Sequence, residues 1–278
     1  MTTPPTAPDR TPLHVTGELL ASRRIGAHHH LTVVAPGVGE RFRPGTFVAV
    51  STGAERLARR AFWIHRVKTS GGFGATLELV VEARGAGTAW LVAQPAGTPL
   101  EVTGPLGRPF ALPTDAVPCL LVGEGYAAAP LFPLAERLRE RDCAVSLLVA
   151  GSDEAHLLSA LEARRSARSV TVVTGDGSVG QRGTVADVVG EVLQRSGAAV
   201  VYAAGTLPTL HAVAVAAEES GAWSQVALEQ PLTCATGLCQ GCPVPVVGES
   251  GSRRVVRACV DGPVLRGDRV VWDEVGAR

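Results

Sequence analysis

Four of the six cysteines fall within 26 residues near the end of the chain: Cys234, Cys239, Cys242 and Cys259. The first three have the spacing C-x4-C-x2-C, and the fourth follows after 16 residues. A plant-type [2Fe–2S] site uses this pattern, three closely spaced thiolates and a distant fourth. Gly237 and Gly241 permit tight turns there, so backbone N–H groups can point at the sulfurs. Structural zinc is the rival reading. Zinc sites usually pair cysteines as two C-x2-C knuckles, and only Cys239 and Cys242 have that spacing. Cys119 and Cys143 lie in or beside apolar strands and read as small buried hydrophobes. Six cysteines in 278 residues are too few for a disulfide scaffold, so the thiols imply a reducing, cytoplasmic setting.

Three other segments have the residue types for binding a phosphorylated cofactor. Arg59-Arg60-Ala61-Phe62-Trp63-Ile64 offers a guanidinium fork for a diphosphate and aromatics for a flat ring. The bland alternative is a solvated strand edge. Gly85-Ala86-Gly87-Thr88 opens a helix-like stretch, which suits either a phosphate or a simple helix cap. Gly123-Glu124-Gly125-Tyr126-Ala127-Ala128-Ala129-Pro130 sits between an apolar strand and a helical pattern, where parallel sheets bind nucleotides, although its glycine pattern is incomplete. The histidine run His28–His30 leads into Leu31-Thr32-Val33-Val34 and reads as the opening of a strand, not as a metal site.

These segments need a scaffold, and the sequence predicts one. Residues 13–113 show short apolar runs separated by Gly and Pro, the pattern of a small β-barrel. From residue 114 strands alternate with helices, with helices expected over 129–141, 156–165, 184–195 and 207–220, which implies a parallel sheet covered on both faces. The fold class is therefore multi-domain α+β: a barrel over 13–113, an α/β domain over 114–224 and a small cysteine domain over 225–278. Residues 1–12, rich in Thr and Pro, read as a disordered leader. Equal numbers of basic and acidic residues, 26 each, argue against a general nucleic-acid binder. No apolar run approaches the length of a membrane span.

Taken in order, the motifs resemble those of the electron-transfer subunit of NAD-linked dihydroorotate dehydrogenases, in the ferredoxin–NADP reductase superfamily. Pro44 to Val48 resembles the family's PGQFV strand, Arg60 to Ile64 its RPISI motif, and Gly85 to Thr88 its GxGT turn. Gly104 to Gly107 is similar to its GPLG turn, Gly123 to Leu131 to GGGIGxAPL, and Thr174 to Gly180 with Gly183 to TDDGSxGxxG. Cys259-Val260-Asp261-Gly262-Pro263-Val264 resembles its CxDGPVF ending, which with the cysteine spacing is the most specific match. The resemblance covers about residues 13–273.

The resemblance implies a six-stranded FAD barrel, an NAD-binding α/β domain and a C-terminal [2Fe–2S] domain. It also implies an FMN-containing catalytic partner that oxidises dihydroorotate in pyrimidine biosynthesis, within a heterotetramer. By matching position it makes Arg60, Ala61, Phe62, Trp63, Gly87 and Thr88 FAD contacts. Gly123, Gly125, Pro130 and Gly205 become nucleotide-site residues, and Cys234, Cys239, Cys242 and Cys259 the iron ligands. The chain departs from the pattern at Trp63 (Ser in the family), Glu82 (Arg), Glu124 and Ala127 (Gly), and Ala204 (Cys). These departures fall mostly on flavin and nicotinamide contacts, so the expectation is retained FAD and cluster with weakened NAD use. Two alternatives stand: a related FAD/[2Fe–2S] subunit serving another oxidoreductase, and a degenerate non-catalytic paralogue. No serine or cysteine is placed to oxidise dihydroorotate within this chain.

Overall fold

The computed structural model describes residues 11–53, 55, 58–69 and 74–276. The first ten residues of the expected leader lie outside the described residues.

Six strands close an antiparallel barrel: β1 (Leu13–Ile25), β2 (His28–Val34), β3 (Phe47–Val50), β4 (Arg60–Lys68), β5 (Thr76–Val81) and, after helix α1 (Ala86–Val92), β6 (Thr98–Leu106). Their order around the barrel is β1-β2-β5-β4-β3-β6. Alternation points Leu31 and Val33 of β2 inward, where they meet Leu19, Ile64, Leu77 and Leu79, all buried. The histidine run opens β2, as its sequence suggests.

The α/β part follows: β7 (Cys119–Glu124), α2 (Leu131–Arg139), β8 (Val145–Gly151), α3 (Ala160–Ser166), β9 (Ser169–Thr174), β10 (Gln181–Arg182), α4 (Val185–Ser196), β11 (Val200–Ala204), α5 (Leu207–Glu219) and β12 (Trp223–Ala227). A hairpin of β13 (Pro243–Val247) and β14 (Arg253–Arg257) carries the last cysteines, and β15 (Val264–Arg266) returns to the main sheet. The sheet order is β10-β9-β8-β7-β11-β12-β15, parallel except for β15, which pairs antiparallel with β12. β7 is apolar and buried from Cys119 to Val122, as a central parallel strand covered on both faces must be. Cys119 and Cys143 are buried in that core, as read from sequence.

The helix expected over 156–165 is shorter. Residues 154–156 form a tight turn, Ser159 takes a left-handed conformation (φ 49°), and α3 starts only at Ala160. The freed backbone holds the barrel: Ala155 O accepts the Ala27 N–H at 2.8 Å, and His156 O pairs with the His28 ring at 3.2 Å. A second contact is charged. The buried His65 of β4 donates from Nδ1 to Ala129 O at 3.1 Å and turns Nε2 toward Glu162 of α3 at 3.5 Å. His30 bonds Glu78 at 2.8 Å, and Arg66 pairs with Glu162 and Glu78.

That bond from His30 is the main reason the Glu78 carboxyl is drawn down to about 2, against the opposing effect of burial. Its stabilising contribution is complete above the ordinary carboxylate value of about 4.5 and disappears as pH falls through about 2. E78Q should cost about 1–3 kcal/mol at neutral pH. Denaturant unfolding along a pH series should show the gap between wild type and E78Q closing across that acid window.

Candidate functional site

The outer wall of β4 turns its aromatic side toward a cleft of about 390 Å³. The barrel supplies Arg60, Ala61, Phe62, Trp63 and Glu82, the start of α1 supplies Thr88, and the loop after β12, Leu228 to Thr233, closes the far side. Of the residues expected at a flavin, these first four and Thr88 line the cleft directly. Gly87 lies behind them. A Cβ there would sit 2.8 Å from Arg60 Nε, so the glycine lets the guanidinium pack close against the start of α1. The motifs Arg60–Ile64 and Gly85–Thr88, distant in sequence, thus meet side to side. Thr88 spends its hydroxyl on the helix start, accepting the Gly85 N–H at 3.1 Å and the Arg84 N–H at 3.0 Å.

Three residues that the sequence did not single out complete the cleft: Arg84, Tyr126 and Glu229. Trp63 Nε1–H donates to Glu229 Oε1 at 3.0 Å, and the Tyr126 hydroxyl donates to Glu229 Oε2 at 2.5 Å. Arg84 in turn donates to the Tyr126 oxygen at 3.0 Å. Burial and the Glu229 carboxylate push the Tyr126 phenol upward, so it stays a neutral donor. The indole at position 63 therefore has its one donor engaged by protein. Arg84 brings a positive charge to the cleft beside the acidic Glu82.

Thr233 is the last residue of this loop to line the cleft and Cys234 follows it directly, so the cleft and the cysteine centre share one loop. Within it Ala235 and Gln240 adopt positive φ, 61° and 55°, and Gly237 85°, wrapping the chain tightly. The Cys239 N–H points at Cys234 Sγ (3.4 Å) and the Gly241 N–H at Cys239 Sγ (3.3 Å). Cys242 and Cys259 are buried with sulfurs 3.3 Å apart. Arg257 fixes the turn bearing Cys259: its backbone N–H bonds Asp261 (2.9 Å) and its guanidinium reaches back to Gly237 O (3.1 Å). All six cysteines are free thiols.

The donor set suits a two-metal group. Cys242 and Cys259 bring their sulfurs together, and the Cys239 backbone N–H ties Cys234 to the same loop, the three-plus-one thiol set that a [2Fe–2S] cluster uses. Burial opposes ionisation of Cys234, but N–H groups from Cys239 and Thr236 outweigh it and draw the thiol down to about 6. Burial and the neighbouring Cys242 push Cys259 up to about 12, so this thiol needs a cation to ionise.

The remaining expected residues lie elsewhere. Gly123, Gly125 and Gly205 gather at the carboxyl ends of β7 and β11, and Pro130 precedes α2. Glu124, the departure in that loop, accepts two hydrogen bonds from Thr206, from N–H at 3.0 Å and from Oγ1 at 2.7 Å. Ala127 is buried and Ala204 ends β11.

Residues 229–271 match the family described as the iron–sulfur cluster binding domain of dihydroorotate dehydrogenase B. Along nearly its whole length the chain is 30% identical to the dihydroorotate dehydrogenase B (NAD(+)) electron transfer subunit of Desulforamulus reducens, covering 88% of this chain and 93% of that protein. It is 32% identical to the subunit of the same name from Bacillus caldolyticus, covering 91% and 96%. The chain belongs to the dihydroorotate dehydrogenase B electron transfer subunit family. A homolog of that subunit from Thermotoga maritima is 31% identical over 87% of this chain and 82% of its own. Among solved structures, that of an NADH-dependent reduced ferredoxin–NADP oxidoreductase aligns with a TM-score of 0.82 at 28% identity, covering 94% of this chain and 91% of that one. A ferredoxin–NADP reductase from Neisseria gonorrhoeae shares the fold at 14% identity and a TM-score of 0.59, covering 79% and 95%.

Two substitutions separate the parts of this site. C239S should lose most of the iron and keep the flavin, as iron assay and visible spectrum of one sample will show. E229A leaves the Trp63 and Tyr126 donors without their acceptor and should weaken FAD binding by roughly 5- to 30-fold in a fluorescence titration.

Proposed function

We propose that this chain passes electrons between an FMN-containing catalytic subunit, the dihydroorotate-oxidising partner of pyrimidine biosynthesis, and NAD. The observation that carries this reading is the shared loop: Leu228 to Thr233 line the cleft, and the cysteine ligands begin at the next residue. In this reading Cys234, Cys239, Cys242 and Cys259 would hold a [2Fe–2S] cluster. Arg60, Ala61, Phe62, Trp63, Gly87 and Thr88 form the FAD site, with Arg84 as an added cation. Gly123, Gly125, Pro130 and Gly205 frame the dinucleotide crevice. When bound, the cluster moves single electrons and the flavin collects them into the pair that a nicotinamide takes as hydride. The protein's share is to hold both groups along one short loop, to keep the thiolates ionised by N–H donors, and to shield the inner sulfurs from water.

The outer edge of the cysteine loop supports entry of electrons from a partner. Cys239 is exposed, and its neighbour in the cysteine loop, Leu238, is a large apolar side chain 85% exposed. A partner bearing FMN would cover it. A second reading, a subunit serving a different oxidoreductase, draws on Ala204 and Glu124 at the nucleotide crevice and on the likeness to the ferredoxin–NADP oxidoreductase.

Mixing the purified chain with the FMN catalytic subunit should give dihydroorotate-dependent reduction of NAD that neither protein supports alone. L238D should raise the concentration of this chain needed for half-maximal rate by about tenfold or more, with iron and flavin content unchanged. Failure of the mixture to form NADH, with both proteins fully loaded, would favour the second reading.

A further inference from the structure

The chain leaves β7 toward β8 and β9 on one side, then crosses to β11 and β12 on the other. The crevice between the carboxyl ends of β7 and β11 is therefore the topological switch point, where open parallel sheets receive nucleotides. The two strands are in register to their ends, Ala203 beside Val122 and Ala204 beside Gly123, so the next residues, Glu124 and Gly205, face each other across its floor. α5, a helix of 13 residues, starts there with Thr206 as its N-cap, and its end presents backbone N–H donors, Pro208 excepted. A diphosphate is the natural partner of such donors.

In this chain an internal carboxylate has taken the donors of the N-cap residue. Oε2 of Glu124 accepts the Thr206 backbone N–H at 3.0 Å and the Thr206 hydroxyl at 2.7 Å. Thr206 is the N-cap of α5, yet its hydroxyl makes no capping bond within its own helix, because it is turned to Glu124. The packing is close as well as charged. A Cβ on the buried Gly205 would lie 3.0 Å from Glu124 Cβ and 3.1 Å from its Oε2, so the glycine lets the acid pack tightly here. The same carboxylate brings a full negative charge to a place where a dinucleotide must bring its own.

We propose that Glu124 is an internal anion occupying the phosphate end of the dinucleotide crevice, and that it sets a low affinity for nicotinamide dinucleotides by competing with their diphosphate for the start of α5. The proposal rests on the reading of this crevice as the NAD site. A dinucleotide enters only after Glu124 releases Thr206. Glu124 is thus a specificity-determining residue, weakening the binding of NAD without touching the cluster or the flavin cleft.

The test uses the loaded protein and calorimetric titration with ADP-ribose, which carries the diphosphate but no redox chemistry. Adenosine, without phosphate, is the control. E124Q keeps an oxygen acceptor for Thr206 and removes only the charge; E124G removes the side chain. Both should bind ADP-ribose about 10- to 100-fold more tightly than wild type, with adenosine binding unchanged. Iron and flavin contents equal to wild type will show that both variants are folded. Equal affinity in all three proteins overturns the proposal. So does weaker binding by the variants, which would make Glu124 an acceptor for a ribose hydroxyl. No binding of ADP-ribose by any of the three would overturn both this proposal and the reading of the crevice as an NAD site.

Discussion

Two donors from different parts of the fold meet on one carboxylate. Trp63 comes from the barrel, Tyr126 from the turn after β7, and Glu229 from the loop that leads to the cysteines. Each oxygen of Glu229 takes one of the two bonds, so the acid ties barrel, sheet and cysteine loop together at the mouth of the cleft. Everything proposed for the function depends on that junction, because cofactors on separate units exchange electrons only if the units are held in fixed relation. The histidine and glutamate contacts around His65 and Glu162 hold the same two larger units at another edge. The relation is therefore set by two contact regions rather than one.

The cysteine centre solves a different problem. Four thiolates in a small volume repel one another, and two of them are buried. The chain answers with N–H groups aimed at Cys234 and Cys239 and leaves the charge of the buried Cys259 to be met by metal. The match of residues 229–271 to an iron–sulfur cluster binding domain separates the cluster reading from zinc, where the sequence had only spacing to offer.

The sequence was most informative where the signal is local. C-x4-C-x2-C lies in one loop, the alternation of apolar runs with helical patterns gives the sheet, and Gly-Pro punctuation gives the barrel. It was least informative where meaning comes from pairing across the chain. Glu229 is an unremarked acid in a loop until Trp63, 166 residues away, bonds it. Glu124 reads as a misplaced charge until its carboxylate is found on Thr206, 82 residues on. The helix expected from residue 156 is truncated because the preceding loop serves the barrel instead, a tertiary demand that no local propensity reveals. β15 belongs to the main sheet for a similar reason: its antiparallel partner β12 precedes the whole cysteine segment.

The most direct test is a single assay of iron, acid-labile sulfide and flavin on one anaerobically purified sample, with its visible spectrum. The account predicts about two irons and two sulfides for each FAD, one set per chain. Zinc in place of iron, or a chain without flavin after gentle purification, would contradict it and leave a reductase fold that has lost its redox chemistry.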